Sequence, residues 1–308
     1  CVHAAGAQRP TMRHQLWLDL SRKEVGDHVF AQLDALLTDN AISYLKWDCN
    51  RFMFPAVSGG QPAGGRIVRG AYALMDRLRA RHPGVEIESC ASGGARIDLE
   101  ILKRTNRVWP SDTTDPIERL RIQRWASLVL PLETIGAHIG PSPNPITGRA
   151  TSLAFRARVA MFGHLGLEMD PRGLGASERE TLTAHISLYK QHRALLHSGR
   201  HLRWTTDDGA EVRAVVSTKG DEALVLACRA EVAAHAAAAS IRLEGLDRGA
   251  AYRLTLLDPW PQPAQRRLAD HDGWRKGRVM RGDALMDQGV LLPLTDPETA
   301  WLIQLQRA

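Results

Sequence analysis

The sequence has few of the features that mark membrane-bound or secreted proteins. No apolar run approaches the roughly 18 residues that a membrane-spanning helix needs. Only four cysteines, Cys1, Cys49, Cys90 and Cys228, occur in 308 residues, too few for a disulfide scaffold. None of them belongs to a Cys-x-x-Cys pair, which excludes a zinc ribbon. We therefore expect a reducing environment and no membrane partner.

Lysine is scarce, although the chain carries a formal charge of +6. Of 40 Lys and Arg residues, set against 34 Asp and Glu, only six are lysines. The arginines are dispersed among acidic and apolar residues instead of forming the basic stripe that nucleic-acid-binding proteins present. We expect no nucleic-acid partner.

Motifs for phosphate, cofactor and metal binding are also missing. The pattern G-x-x-x-x-G-K-[ST] is absent, and the pair Gly93-Gly94 alone is weak evidence for a phosphate loop. His138 ends a predicted strand without a second ligand at metal-binding spacing, so a hydrogen-bonding role is favoured over a metal site. We predict neither a metal nor a cofactor.

Apolar strand candidates alternate with amphipathic helices through the first 200 residues, which is the pattern of a parallel β/α sheet. The predicted strands end at Asp48, Cys90, Asp112, His138 and Asp170. A closed (β/α)8 barrel has eight strands in about 250 residues. We therefore predict α/β architecture in which residues 1–200 form the C-terminal part of a TIM barrel, about strands 4–8, and three strands precede residue 1. A complete, open five-stranded sheet is the alternative.

Two helix starts are indicated by short polar patterns. Ser21 followed three residues later by Glu24 forms a capping box, in which each side chain accepts from a free backbone N–H group. Asp115 precedes Pro116, a residue that is favoured at the first helical position, so Asp115 is expected to cap that helix.

The pattern changes from about residue 201 onwards. Short alternating segments, separated by turns with Gly and Asp, cover residues 211–217, 223–227, 240–244, 252–257 and 299–305. This pattern predicts a C-terminal antiparallel β-sandwich domain over residues 201–308.

The first predicted strand ends in Lys46-Trp47-Asp48-Cys49-Asn50. Lys46 and Asp48 are two residues apart and therefore lie on one side of the strand. A neighbouring lysine favours the ionised carboxylate, and an ionised carboxylate can act as a nucleophile. The alternative is a surface salt bridge followed by an N-capping Asn50.

The third predicted strand ends at Asp112, for which no structural role is evident, in contrast to Asp115. Two carboxylates on one barrel rim, with the apolar side chain of Trp109 nearby, indicate glycoside hydrolysis. A retaining glycosidase holds its carboxyl groups about 5–5.5 Å apart, so that one attacks the anomeric carbon and the other protonates the leaving oxygen.

Other polar residues have simpler explanations. Cys90 has no obvious base beside it, so a cysteine nucleophile is unsupported. Glu168 and Asp170 are expected to bind backbone groups or an arginine. The cluster His192, His197 and His201 is expected on a solvated helix and linker.

Three motifs in order carry a family resemblance: K-W-D-x-N-R at 46–51, E-S-C-x-S-G-G-x-R-x-D at 88–98, and W-x-S-D-x-T-D-x-x-E-R-x-x-I-Q at 109–123. Together they closely resemble glycoside hydrolase family 36, the bacterial-type α-galactosidases. The resemblance is densest over residues 13–170 and faint in the β domain.

The resemblance implies retaining, metal-independent hydrolysis of terminal α-galactosyl residues in sugars such as raffinose and melibiose. It implies Asp48 as the nucleophile and Asp112 as the general acid/base. It further implies that Arg13 and Lys46 bind hydroxyls around C3 and C4, and that Asn50, Cys90 and Gly93 surround the C2 hydroxyl. Family members are typically cytoplasmic and often tetrameric, so a homo-oligomer is expected.

The chain departs from the family pattern at Cys49, where Met is expected, at Glu100, where Gly is usual, and at Pro145, where His is frequent. The family's N-terminal β domain and first barrel strands are not found, so we expect a fragment that is inactive alone. The alternatives are a galactosyl transferase of the same family, an α-N-acetylgalactosaminidase, and an inactive sugar-binding or oligomerisation fragment.

Overall fold

Helices and strands alternate along the first two thirds of the chain, as the apolar periodicity predicts. The computed structural model describes residues 2, 6, 11, 14–51, 53–232, 240–257, 276–291 and 296–308. The chain divides into two units, Cys1–Asp112 and Thr113–Ala308. Among the described helices, none is long and apolar enough to cross a membrane.

The first unit contains a three-stranded parallel sheet. Its elements are α1 (Lys23–Asp39), β1 (Tyr44–Trp47), β2 (Val57–Ser58), β3 (Gln61–Pro62), α2 (Gly64–Arg81), β4 (Glu86–Ser89), α3 (Leu99–Leu102) and β5 (Arg107–Val108). The strand order is β1-β4-β5, with Lys46 opposite Glu88 and Ser89 opposite Val108. Because the strands are parallel, the segments after β1, β4 and β5 leave from the same edge of the sheet.

Apolar faces of α1 and α2 form the core beside this sheet. Leu37 of α1 packs with Leu74 and Leu78 of α2, and Leu45 of β1 joins the same cluster. Met75 of the same helix packs with Ile101 in a neighbouring cluster. Both helices follow the periodicity that the sequence predicts, since a stripe of apolar residues can be buried only on one side of a helix.

The predicted capping box at Ser21 is wrong. Helix α1 begins at Lys23, and its N-cap residue Arg22 makes no capping hydrogen bond through its side chain. The Ser21 hydroxyl instead donates to Asp19 over 2.6 Å, and Glu24 accepts from the Arg22 guanidinium. The side chains of Ser21 and Glu24 therefore bind other side chains and do not form the expected box.

The second unit begins with further β/α structure. It contains α4 (Pro116–Ala126), β6 (Gly136–Ile139), α5 (Leu153–Ala160), β7 (His164–Leu167) and α6 (Ala176–Ser198). Strands β6 and β7 are parallel. Asp115 accepts from the backbone N–H groups of Ile117 and Glu118, and Pro116 is the first helical residue, which confirms the predicted cap.

A six-stranded antiparallel sheet completes the second unit. In chain order the remaining elements are β8 (Arg200–Thr205), β9 (Glu211–Val216), β10 (Glu222–Arg229), β11 (Ser240–Ile241), β12 (Ala251–Leu256), β13 (Arg278–Arg281), α7 (Gly282–Asp287), β14 (Val290–Leu291) and β15 (Thr299–Arg307). The sheet order is β13-β12-β15-β10-β9-β8, and β11 pairs with β14. One face of the sheet buries Val225, Tyr252 and Trp301.

The histidines of α6 and of the first strand of this sheet, β8, are less exposed than the sequence predicts. His192 on α6 is only 2% exposed, and His201 lies within β8 instead of a linker. Burial lowers the pKa of His201 to about 4, helped by the charges of Arg213 and Arg203. His197 exchanges a 3.0 Å hydrogen bond with the Tyr189 hydroxyl. The prediction of a solvated cluster is wrong because α6 packs against the sheet.

Candidate active site

Asp48 immediately follows the last residue of β1, at the carboxyl end of the parallel sheet. Its Oδ1 accepts from the backbone N–H of Cys49 over 2.7 Å. Its Oδ2 accepts from the Asn50 side-chain amide over 2.6 Å. Asn50 therefore orients the carboxylate and does not cap a helix, since the next helix in the described chain begins at Gly64.

The surroundings of Asp48 favour its ionised form. Partial burial alone would raise the pKa of Asp48, but hydrogen bonds from Asn50, the Cys90 thiol and the Cys49 amide outweigh it. The positive charge of Lys46 acts in the same direction, and the pKa of Asp48 lies below its ordinary value. Asp48 is thus an anion at neutral pH, as a carboxylate nucleophile must be.

Cys90 follows the end of β4 and is 1% exposed. Burial raises the pKa of its thiol to about 12, and the neighbouring Asp48 carboxylate adds to this effect, against a backbone hydrogen bond at Gly93. The thiol remains protonated and donates to Asp48. A cysteine nucleophile at this position is therefore disfavoured on chemical grounds as well.

Lys46 lies on β1, two residues before Asp48. Its Nζ is 3.8 Å from Oε1 of Glu88 and 4.8 Å from the ring centroid of Trp109. The ammonium group is therefore held by a buried carboxylate and an aromatic ring. The alternative interpretation of the motif, a surface salt bridge, does not describe these contacts, because the carboxylate of Glu88 is buried and an aromatic ring is the second partner.

Asp112 lies in the segment after β5, which ends earlier than predicted, at Val108. Its Oδ1 accepts a 3.2 Å hydrogen bond from the indole nitrogen of Trp109. Trp109 is 1% exposed. The expected apolar neighbour therefore meets Asp112 through its polar N–H group, which fixes the orientation of the carboxyl group.

Gly93 brings the segment after β4 against the segment that carries Asp112. Its φ of +78° lies in the left-handed region, which side chains other than glycine rarely adopt. A β-carbon at Gly93 would lie 2.8 Å from the Cα of Ser111 and 3.1 Å from the backbone nitrogen of Asp112. Next to it, Ser92 donates to Oδ1 of Asn50 over 3.3 Å. The segments after β1, β4 and β5 thus meet at one place.

Arg96 is a contributor to this region that the sequence analysis missed. Its Nη2 donates to the carbonyl oxygens of Trp47, over 2.8 Å, and Cys90, over 2.9 Å. It therefore joins the carboxyl ends of β1 and β4, next to Asp48. The arginine of the S-G-G-x-R motif was the available signal, but only the folded chain shows which carbonyl groups it reaches.

A cavity of about 480 Å³ lies beside Asp48 within the first unit. Asp48, Asn50 and Ser92 form part of its wall, and Trp17, Trp47 and Met53 are among the apolar residues that line the rest. A space of this size is within the range that small-molecule sites occupy, about 300–1,000 Å³. The candidate nucleophile therefore borders a space that a ligand can enter.

The second unit carries the remaining strand-end residues. His138 forms a 3.0 Å hydrogen bond with Glu168, as the favoured hydrogen-bonding role predicts. Asp170 accepts from the backbone and guanidinium of Arg172, also as predicted. In the described part of the chain, no group of three or more His, Cys, Asp or Glu could hold a metal ion.

One predicted binding residue cannot be placed. Arg13 lies outside the described residues, which resume at His14. The other predicted residues, Lys46, Asp48, Asn50, Cys90, Gly93 and Asp112, all belong to the first unit.

Comparison with protein-family profiles shows to which family the chain belongs. The family profile "Melibiase" matches residues 1–199, and the profile "Glycosyl hydrolase family 36 C-terminal domain" matches residues 210–305. This chain belongs to glycoside hydrolase family 36.

Curated relatives are more than one third identical to this family 36 chain over the aligned residues. An α-galactosidase of Escherichia coli is 38% identical over 315 residues, covering 98% of this chain and 44% of the relative. The bifunctional α-galactosidase/sucrose kinase AgaSK of Mediterraneibacter gnavus is 35% identical, covering 95% of this chain and 29% of the relative. The chain thus spans less than half the length of these relatives.

Solved family 36 structures match the whole chain. A variant of α-galactosidase AgaA from Geobacillus stearothermophilus, in complex with raffinose, has a TM-score of 0.88 at 32% identity and covers 100% of this chain and 41% of its own. The galactosidase domain of AgaSK has a TM-score of 0.86 at 33% identity, covering 100% of this chain and 40% of its own. The predicted fold class, part of a TIM barrel followed by antiparallel β structure, is confirmed.

Proposed function

We propose that the protein to which this chain belongs is a retaining α-galactosidase that hydrolyses terminal α-galactosyl residues of oligosaccharides such as raffinose and melibiose. The observation that carries the proposal is the ionised Asp48, hydrogen-bonded by Asn50, Cys49 and Cys90 at the carboxyl end of β1. Relatives that are α-galactosidases, one of them solved with raffinose, support the choice of sugar.

In the proposed reaction, Asp48 attacks the anomeric carbon and forms a galactosyl-enzyme, while Asp112 protonates the departing glycosidic oxygen. Asp112 then takes a proton from water, which attacks the anomeric carbon and releases Asp48. Lys46, Asn50, Cys90 and Gly93, together with Arg13, bind the sugar hydroxyls. The two carboxylates supply the acid, base and nucleophile, so the mechanism requires neither metal nor cofactor.

Two features of organisation belong to the proposal. Residues 1–200 are proposed as barrel and residues 201–308 as the C-terminal β domain, a division supported by profile matches at 1–199 and 210–305. The protein is proposed to be cytoplasmic and a homo-oligomer, a tetramer as is frequent in the family.

The test is hydrolysis of p-nitrophenyl α-galactoside by the protein from its complete reading frame, with Asp48→Asn as control and the 308-residue chain in parallel. We expect activity in the complete wild type only, and NMR should show α-galactose as the first product, because retention restores the original anomer. No activity in the wild type, or β-galactose released first, would contradict the proposal.

The alternatives predict different products. A transferase would release p-nitrophenol but deposit galactose on an added sugar acceptor instead of on water. An α-N-acetylgalactosaminidase would prefer the N-acetylated aryl glycoside. We expect neither outcome.

A further inference from the structure

Glu88 is a buried carboxylate that the proposed mechanism does not use. It lies on β4, the central strand of the parallel sheet, and is 1% exposed. In the strand register it stands opposite Lys46 of β1. Side chains opposite each other on neighbouring strands point to the same side of the sheet, so Glu88 faces the lysine beside the site.

The two oxygens of Glu88 have different surroundings. Oε2 accepts a 2.5 Å hydrogen bond from the Tyr44 hydroxyl. Burial, followed by the Glu88 hydrogen bond and charge, raises the pKa of the Tyr44 phenol, which therefore remains a donor. Oε1 is buried, makes no hydrogen bond within the described part of the chain, and lies 3.8 Å from Nζ of Lys46.

Lys46 is thereby held from two sides. A lysine side chain is flexible and presents a point charge, so its own geometry does not fix where the ammonium lies. Here the Glu88 carboxylate lies on one side and the Trp109 ring, with its centroid 4.8 Å from Nζ, on another. Trp109 in turn donates to Asp112. Burial of a carboxylate costs free energy, and an oppositely charged partner offsets part of that cost. Lys46 is such a partner for Glu88.

We propose that Glu88 is a positioning residue that holds the Lys46 ammonium group where it donates to hydroxyls of the bound galactosyl ring. The inference rests on the proposed function, since it concerns how the same site recognises its sugar. Glu88 contacts Lys46 and Tyr44, and it acts on the sugar only through Lys46.

The test is a double-mutant cycle in the protein from its complete reading frame, with Glu88→Gln, Lys46→Met and both together. KM and kcat are measured with p-nitrophenyl α-galactoside, and Kd with 1-deoxygalactonojirimycin, a ligand that a solved family 36 structure contains. Glu88→Gln keeps the shape of the side chain and an acceptor for Tyr44 but removes the charge.

The expected result is a rise in KM and Kd of about tenfold in Glu88→Gln, and no further rise when it is added to Lys46→Met, since coupled residues give non-additive effects. The matched control is Glu86→Gln, the same change on the same strand at a position that is 49% exposed and paired with Arg107. It should change both constants by less than about twofold.

Multiplicative losses in the double variant, or unchanged KM and Kd in a folded Glu88→Gln, would overturn the inference. If thermal melting shows that Glu88→Gln does not fold, Glu88→Asp, which withdraws the charge by one methylene group, takes its place in the same cycle. A wild type that neither hydrolyses the galactoside nor binds the inhibitor would instead refute the proposed function, and the inference with it.

Discussion

Asn50 donates a 2.6 Å hydrogen bond to Oδ2 of Asp48, from a position two residues further along the same segment. The candidate nucleophile therefore receives one of its orienting bonds from its own stretch of chain. Another donor, the Cys90 thiol, comes from the residue that follows the neighbouring strand β4. The ionised state of Asp48 thus depends on both local sequence and the strand order.

Replacing Asn50 with Ala should shift the pH dependence of the reaction. Burial raises the pKa of Asp48 and the Asn50 hydrogen bond opposes it, so removal of the amide raises that pKa. Because the nucleophile must be ionised, activity is present above the pKa of Asp48 and is lost as the pH falls through it. The acid limb of a plot of kcat/KM against pH should therefore move to higher pH in Asn50→Ala.

Ser92→Ala is the matched control for this shift. Ser92 donates to the other end of the Asn50 amide group and not to Asp48. Its replacement should leave the acid limb where it is. An acid limb at the same pH in wild type and Asn50→Ala would show that this hydrogen bond does not govern the nucleophile.

The two carboxylates should respond differently to the leaving group. Asp48→Asn should abolish turnover of melibiose and of p-nitrophenyl α-galactoside alike, because both need the nucleophile. Asp112→Asn should lower kcat/KM for melibiose by about 10²- to 10⁴-fold, the usual contribution of a general acid. The loss should be much smaller for the aryl galactoside, whose leaving group needs little protonation. Equal losses on both substrates in both variants would contradict the division of roles.

Gly93→Ala should damage the site more than the fold. The new β-carbon would meet Ser111, and its positive φ costs alanine about 1–2 kcal/mol. Because the displaced segment carries Asp112, kcat/KM should fall by about a hundredfold. Gly84→Ala, where nothing lies within 4 Å of the added carbon, should change the free energy of unfolding by less than about 0.5 kcal/mol. Full activity in Gly93→Ala would show that the close approach does not matter.

Asp115 should stabilise the second unit in a pH-dependent way. It is fully buried, caps α4, and also binds Thr147 and Arg149. Burial raises its pKa, but these hydrogen bonds outweigh it and hold the pKa below the ordinary value. Its contribution is therefore complete above the ordinary carboxyl pKa of about 4 and is lost as the pH falls through the lower value.

Urea unfolding should measure this contribution. Asp115→Ala should lower the free energy of unfolding at pH 7 by about 2 kcal/mol, the upper range for loss of a helix cap. It should also reduce the loss of stability on acidification. Asp170→Ala, which breaks an exposed pair with Arg172, should lower the free energy of unfolding much less, because solvent screens an exposed ion pair. Equal effects of the two substitutions would contradict the importance of the buried cap.

Much of the fold follows from local patterns. The five parallel strands of the described chain and the helices between them lie close to where the apolar periodicity predicts, because each helix must bury one apolar stripe. Strands β5 and β7 end earlier than predicted, at Val108 and Leu167. Predictions of side-chain hydrogen bonds had mixed outcomes, since the cap at Asp115 is present and the one at Ser21 is not. The expected capping box at Ser21 is wrong because Asp19, which also accepts from the distant Ser58, takes the hydroxyl.

The sequence by itself determined the order of β/α units and the family to which the chain belongs, and it indicated Asp48 and Asp112 as the candidate carboxylates. These are properties of short segments, and each motif carries them within a few residues. Only the tertiary structure decided that Glu88 faces Lys46, that Cys90 donates to Asp48 and that Gly93 touches Ser111. The reason is that such contacts join segments about 20 to 40 residues apart, and their existence depends on the strand order β1-β4-β5 and its register, which no local pattern specifies.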